Sequence, residues 1–170
     1  NTNYNLQLTR TQIVDFSTVT NGGGSFVTKP TIELVGGGGS GAVMDAIIDN
    51  EVIQAITVAN PGRGYSSTPA VQARITHSFV PLESNSTLNF PYDTKIPVGT
   101  EVQLLEVDGT LPPPFVANTT YFAVSPTLAN GLASNQLKMA ATLADALSGT
   151  TITITGQPSI GNGGTATFNL

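Results

Sequence analysis

The chain has 170 residues, of which 10% are charged, and its formal net charge at pH 7 is −5. The six cationic residues are scattered along the sequence, so no basic stripe is available to neutralise a phosphate backbone, and nucleic-acid binding is disfavoured. The lack of cysteine excludes disulfides and thiolate metal sites, and no apolar run approaches the roughly 20 residues of a membrane-spanning helix.

The rest of the composition favours strands and turns. Glycine (18) and proline (11) are abundant and apolar residues reach 39%, while threonine, valine, isoleucine and asparagine dominate the remainder. Disordered chains are usually rich in charge and poor in aliphatic residues, which this chain is not. The chain opens on Asn1 rather than methionine, as expected of a processed chain, a fragment or a chain shown without its first residue.

The first segment allows two interpretations. Residues 3–8 alternate Tyr4, Leu6 and Leu8 on one face, which is typical of a strand. Thr9 and Gln12 fit a capping box, which instead favours a short helix over residues 9–16. The sequence does not decide between the two.

A near-copy of one segment recurs 39 residues later in the chain. Residues 19–32 and 58–71 share an order of β-branched residues, asparagine, glycine, an aromatic ring and proline. The equivalent pairs are Val19/Val58, Asn21/Asn60, Gly23/Gly62, Phe26/Tyr65, Pro30/Pro69 and Ile32/Val71. Because each copy supplies turns and strands but no reactive group, the repeat indicates a scaffold and argues against an enzyme.

Strand patterns fill the remainder of the first half. A short apolar run at Thr31–Val35 precedes the glycine cluster, and the runs 42–48 and 52–58 flank a turn at residues 49–51, as in a hairpin. A further strand is expected over residues 69–76. These elements predict a first domain over residues 1–78.

The second half begins with a less regular stretch, residues 79–97, which contains three prolines and is predicted to be a connector. A second domain is predicted over residues 98–170. Its expected strands are 101–107, 119–125, 150–155 and 165–170. Residues 137–147 have the composition of a helix of about three turns that ends at Gly149.

The glycine cluster Gly36–Gly41 formally satisfies the dinucleotide-binding pattern GxGxxG. That mechanism needs a helix that begins at the last glycine, so that its amides face the pyrophosphate. Residues 42–48 are too short, contain β-branched side chains and run into a turn. A glycine bend is therefore expected, and no cofactor-binding residue is predicted.

His77 is the single histidine, so a Ser–His–acid triad and nearly any zinc site would need it. It is expected to be a solvated or packed linker residue. Asp45, Asp49 and Glu51 cluster around the hairpin without the spacing of a calcium loop, and they are expected to solvate a turn. No catalytic residue and no metal ligand are predicted.

Aromatic side chains raise the possibility of sugar stacking, although the chain has no tryptophan. The aromatic residues weighed for this role are Tyr4, Phe26, Tyr65, Tyr92, Phe115, Tyr121 and Phe122. Phe26 and Tyr65 occupy equivalent repeat positions, four residues before proline, where a ring more simply packs over a turn. A surface glycan stays open as a partner.

Two parts of the sequence are similar to known virion proteins. Residues 56–71, with Gly36–Ala42 before them, resemble the glycine-rich β-repeat of tailed-bacteriophage structural proteins; in the first copy Ser25 stands where that repeat has glycine. Residues 99–104, 109–124 and 135–147 are similar to a small β-module of phage tail fibres and other virion proteins. This second resemblance implies that residues 136–140 form a strand and that only residues 143–147 form a helical turn.

The expected fold is therefore all-β, with a repeat-containing N-terminal β-domain, a C-terminal module like a β-barrel or sandwich, and at most two short helical turns. The resemblance implies a non-catalytic structural protein on the exterior of a bacteriophage virion, of the capsid decoration, cement or fibre type. Its partners would be other virion proteins, such as capsid or tail components, and neither nucleic acid nor membrane. The alternatives are a receptor- or glycan-binding module and, less favoured, a small hydrolase that uses His77.

Self-association is also expected. Two small modules with few charges, few aromatic residues and no disulfide bury a limited core, so partner surfaces should add stability. Unpaired strand edges also need to be covered. A homotrimer is favoured because three-fold assemblies are common among the similar phage proteins.

Overall fold

The computed structural model describes residues 3–9, 12–21, 26–107, 110–127, 130–156 and 163–170, with only the backbone described before residue 26. In these ranges the fold is nearly all-β, with eleven strands, one short α-helix and one 3₁₀ turn at Glu83–Asn85. The predicted fold class is confirmed. The chain divides into two compact units, Asn1–Ile75 with Leu170, and Thr76–Asn169.

The first unit contains five complete strands and the beginning of a sixth. They are β1 (Asn3–Thr9), β2 (Gln12–Asn21), β3 (Thr31–Val35), β4 (Ser40–Asp49), β5 (Val52–Arg63) and β6 (Ala70–Leu82). Strand β1 pairs with β2, β4 with β5 and β3 with β6, each antiparallel. The helix considered for residues 9–16 is wrong, because Gln12–Asn21 pairs along β1 as a strand.

The predicted hairpin is confirmed, and its turn consists of two residues. Asn50 and Glu51 have φ angles of 49° and 62°, so both lie in the left-handed region, as in the type I′ turn that joins twisted antiparallel strands. The next paired residues are Asp49 and Val52. Asparagine is common at such a position because it tolerates positive φ.

The sequence repeat is also a structural repeat in the first unit. In both copies a buried aromatic ring, Phe26 or Tyr65, is followed by a bend of three exposed residues, a buried proline and the first residue of a strand. The order β1–β2–β3 matches β4–β5–β6. Gly22–Ser25, which carry the glycines of the first copy, lie outside the described residues.

The pairing of β3 with β6 is symmetric with respect to the repeat. Glu33 lies opposite Gln72, which is its equivalent in the second copy, and Thr31 and Val35 lie opposite Arg74 and Ala70. Each residue thus faces the partner that an internal two-fold axis between Glu33 and Gln72 would give it. An ion pair of 2.8 Å between Arg74 and Glu33 crosses this pairing.

The second unit is a six-stranded antiparallel β-barrel. The end of β6 is followed by β7 (Thr87–Asn89), β8 (Glu101–Glu106), β9 (Thr120–Val124), β10 (Gln136–Ala140) and β11 (Gly164–Asn169). Around the barrel the order is β6, β7, β10, β9, β8 and β11, and β11 pairs back onto β6. Every strand of the barrel therefore has a neighbour on both sides.

Alternation of side chains fills the barrel. Along β11 the burial alternates residue by residue, and Ala166 and Phe168 are fully buried. The core also contains large apolar side chains from the other strands and from the segment before β8: Phe79, Leu88, Phe90, Ile96, Val102, Leu104, Leu137 and Met139. The rings of Phe90 and Phe168 lie 6.0 Å apart, a separation typical of aromatic pairs.

Two predictions for the second half need correction. Residues 79–97 were predicted to be a connector, whereas they include the end of β6 and all of β7, and Phe79, Phe90 and Ile96 are buried in the second unit. Residues 150–155 were predicted to be a strand. They form no strand, because their N–H groups donate to scattered acceptors: the carbonyls of Asp145, Met139 and Pro113 and the hydroxyl of Ser86.

The order of strand and helix after residue 135 is as the resemblance implied. Gln136–Ala140 is strand β10, and the helix α1 is confined to Leu143–Ser148. The side chain of Thr142 caps α1 by accepting a bond from the Asp145 N–H at 3.1 Å and donating to the Asp145 carboxylate at 2.7 Å. Gly149, with a φ of 79°, ends the helix.

Candidate functional site

A surface groove with a volume of about 390 Å³ opens beside the irregular segment between β7 and β8. Its walls come from that segment, from the end of β9 and from the turn before β10, all in the second unit. The lining residues are Asp93, Lys95, Ile96, Pro97, Val98, Ser125, Pro126 and Ser134. Grooves with mostly apolar walls and a few polar groups are the usual form of binding sites.

Hydrogen bonds fix the wall of the groove although it belongs to no strand. The Ser134 hydroxyl donates to the Asp93 carboxylate, and the Thr94 N–H donates to the Ser134 carbonyl at 3.3 Å. The hydroxyl of Ser125, which is buried, donates to the carbonyl of Ile96. These bonds hold residues 93–96 against the residues that follow β9 and those that precede β10, so the groove is preformed.

The groove carries charges of both signs over an apolar floor. Asp93 supplies a carboxylate and Lys95 an ammonium, and the floor is formed by isoleucine, proline and valine side chains. The backbone of Lys95 has a φ of 48°, which is uncommon for residues other than glycine. No histidine is among the lining residues. Charged groups beside apolar side chains can hold a ligand that has both polar and apolar parts.

His77 is not a linker residue, because it lies on β6 and its side chain is 3% exposed. Its Nδ1 shares a hydrogen bond with the Tyr92 hydroxyl, its ring lies 6.0 Å from that of Phe168, and its buried Nε2 has no partner among the described residues. Burial lowers the pKa of His77 below 6.5 and raises the pKa of Tyr92 above 10.0. In the described part of the chain, the hydrogen-bond partner of His77 is a tyrosine hydroxyl, whereas a Ser–His–acid triad needs a serine and a carboxylate.

Only two of the three hairpin acids lie at the turn, where Asp49 is exposed and Glu51 is half-buried. Asp45 lies within β4, so the expectation that it solvates the turn is wrong. Asp45 forms an ion pair of 2.5 Å with Lys29, and both side chains are more than half exposed. Asp49 accepts a bond of 3.4 Å from the neighbouring Asn50. Nowhere in the described ranges do three histidine, cysteine or acidic side chains gather as metal ligands would.

The glycine cluster is a bend between two strands, as predicted, and not the start of a helix. It leads from β3 directly into β4. A Cβ added at Gly39 would overlap the ring of Tyr65, and the carbonyl of Gly37 accepts a bond of 2.8 Å from the Ser66 N–H. These glycines therefore let the bend of the second repeat copy pack closely onto them.

The repeat aromatics do not offer platforms for sugar stacking. Phe26 is 2% exposed and Tyr65 is 4% exposed, so both rings pack inside the first unit. Tyr121 and Phe115 are also buried and meet edge to face at 5.2 Å. Tyr4 lies where no side chain is described.

The sequence did not point to the groove. Its residues come from three separate segments, and none belongs to a known motif. A signal for His77 was present, because Ala73, Ile75, His77 and Phe79 follow the two-residue period of a strand whose inner face is buried.

Comparison of this chain with protein families, with characterised proteins and with solved structures gave no match. None of the helices in the described ranges has the length and apolar character needed to cross a bilayer.

Proposed function

We propose that this chain is a non-catalytic structural protein of a bacteriophage virion, of the decoration, cement or fibre type, and that it lies on the exterior of the particle. The observation that carries the proposal is the segment Gln136–Ser148. Its composition favours one helix, the resemblance to virion modules implies a strand followed by a helical turn, and the chain folds as β10 followed by α1.

The placement of the polar groups supports a structural role. His77 is packed in the barrel, and Asp45 of the hairpin is paired with Lys29 at the surface. The repeat supplies paired strands and close-packed bends. In both units, the residues that were considered for chemistry take part in packing or in surface ion pairs of the fold itself.

The test is binding of the purified chain to virus particles that were assembled without it. We expect saturable co-sedimentation of the chain with such particles, at many copies per particle. Absence of binding, combined with binding to a glycan array, would favour the competing class of receptor- or glycan-binding module. Substrate turnover that is lost in His77→Ala would favour a hydrolase.

A further inference from the structure

The helix α1 turns its two largest side chains outward. Leu143 is 47% exposed and Leu147 is 67% exposed, and residues four apart lie on the same side of a helix. The buried side chain is the small one, Ala146, which packs against Val124 and Ala140 of the barrel. The helix is therefore held to the barrel by alanine and presents leucine to solvent.

The exposed leucines continue into a larger apolar surface. The Cδ1 of Leu143 lies 2.7 Å, and the Cδ2 of Leu147 3.8 Å, from the position that a Cβ would take on Gly99. The preceding residue, Val98, is 38% exposed and lines the groove. We call these four residues the apolar strip. The strip and the groove form one continuous surface of the second unit, and contiguous apolar surfaces usually mark interaction sites.

Two acidic residues belong to this part of the second unit. Asp93 lies in the groove, and Glu101 begins β8 opposite Phe122, which packs against the cluster under α1. Lys95 is the cation that lines the groove. Over residues 76–169 the sequence has six carboxylates against two lysines. An apolar surface in an acidic field is complementary to an apolar segment flanked by cations.

We propose that the apolar strip and the groove bind a segment of a different protein that carries apolar side chains flanked by lysine or arginine. A second copy of this chain fits less well, because it would bring another acidic barrel against the first. All residues of this surface belong to the second unit. The identity of the partner as another virion protein rests on the proposed function.

The experiment uses the full chain and a displayed library of short random peptides, followed by calorimetry with the enriched peptide. We expect the enriched peptides to combine apolar and basic residues. Leu147→Asp should weaken binding by about tenfold or more, because it removes an apolar contact and forces a carboxylate to lose water against the apolar side chains of the peptide. Val116→Asp is the matched control, since Val116 is 61% exposed in a loop of the same unit, and it should bind as the wild type does.

A twin of the enriched peptide in which glutamate replaces the cations tests the charge. It should bind more weakly, and added salt should weaken the basic peptide's binding. Enrichment of no peptide, equal binding of the glutamate twin, or equal binding by Leu147→Asp would overturn the proposal. Dimerisation of the chain that Leu147→Asp abolishes would also overturn it, in favour of a second copy. No virion takes part in this assay, so its result is independent of the particle-binding test.

Discussion

His77 is a buried residue through which pH should affect the stability of the barrel. Among the described residues, the Tyr92 hydroxyl and the Phe168 ring contact the ring of His77, and neither is a carboxylate that would favour the imidazolium. Burial lowers the pKa of His77 below 6.5, so the unfolded chain takes up this proton at a higher pH than the folded chain does.

The stability of the barrel should therefore depend on the charge of His77. The stability that the folded chain gains from keeping His77 uncharged is fully present above the unfolded pKa of 6.5. That stability is lost as the pH falls toward the lower pKa of the folded chain. We expect the urea midpoint of the wild type to fall between about pH 7.5 and about pH 5.5, above the range where most carboxylates titrate. His77→Gln removes the titrating group and should show a smaller fall. An equal fall in both proteins would contradict this account.

Gly39 is a position in the first unit that leaves no room for a side chain. A Cβ there would overlap the ring of Tyr65, which is buried and cannot turn outward without opening the first unit. We expect Gly39→Ala to destabilise the chain by about 1–3 kcal/mol, as overpacking does. Gly156→Ala is the control, since its nearest atom, Pro113 Cγ, lies at an ordinary 3.6 Å. Thermal unfolding should separate the two variants, and equal midpoints would show that the ring moves freely.

At the scale of elements, α1 shows how a short helix is kept in place. Six residues form too few hydrogen bonds for a stable isolated helix, so its ends and its single buried residue determine whether it forms. Thr142 and Asp145 satisfy each other at the first turn, and Gly149 closes the last turn.

Removal of that cap should loosen the apolar strip. Thr142→Ala is expected to cost about 1 kcal/mol of stability, whereas Thr142→Ser, which keeps the hydroxyl, should cost much less. Amide hydrogen exchange of residues 143–148 measures this directly, and exchange in Thr142→Ala should be faster than in the serine variant. Identical exchange in the two variants would mean that barrel contacts alone hold the helix.

The elements also show what could be read from the sequence. The hairpin of β4 and β5 was predictable because two strand-like runs flank a short turn, and Asn50 in that turn tolerates positive φ. Residues 150–155 have equally good strand composition, yet every barrel strand already has two neighbours, so no edge is left for them to pair with. Local propensity does not report whether a partner is available.

The candidate site was less predictable than the fold for a related reason. The groove depends on bonds that join residues far apart in sequence, such as Ser125 with Ile96 and Ser134 with Asp93. The apolar strip needs Gly99 to lie beneath Leu143 and Leu147, which only the packing of α1 on the barrel brings about. Neither arrangement produces a fixed spacing of residues in the sequence by which a motif could be recognised.

In the whole molecule, the need to cover strand edges concerns the first unit and not the closed barrel. The barrel strands cover one another's edges, whereas the β4–β5 hairpin of the first unit pairs as a two-stranded sheet. Such a sheet is marginally stable without further packing.

We therefore expect the chain to self-associate, with the homotrimer favoured by the resemblance to phage proteins. Light scattering at micromolar concentration should give a mass well above the 17.5 kDa of one chain. Leu147→Asp should leave that mass unchanged, because the apolar strip is assigned to a different protein. A cooperatively folded monomer would contradict the expectation of self-association.

Quantitative peptide mass spectrometry of gradient-purified virus particles would show whether this chain is the structural virion component that we propose. We expect peptides of this chain to band with the major shell protein at many copies per particle. Peptides found only in the soluble fraction at the top of the gradient, with none in the particle band, would contradict it.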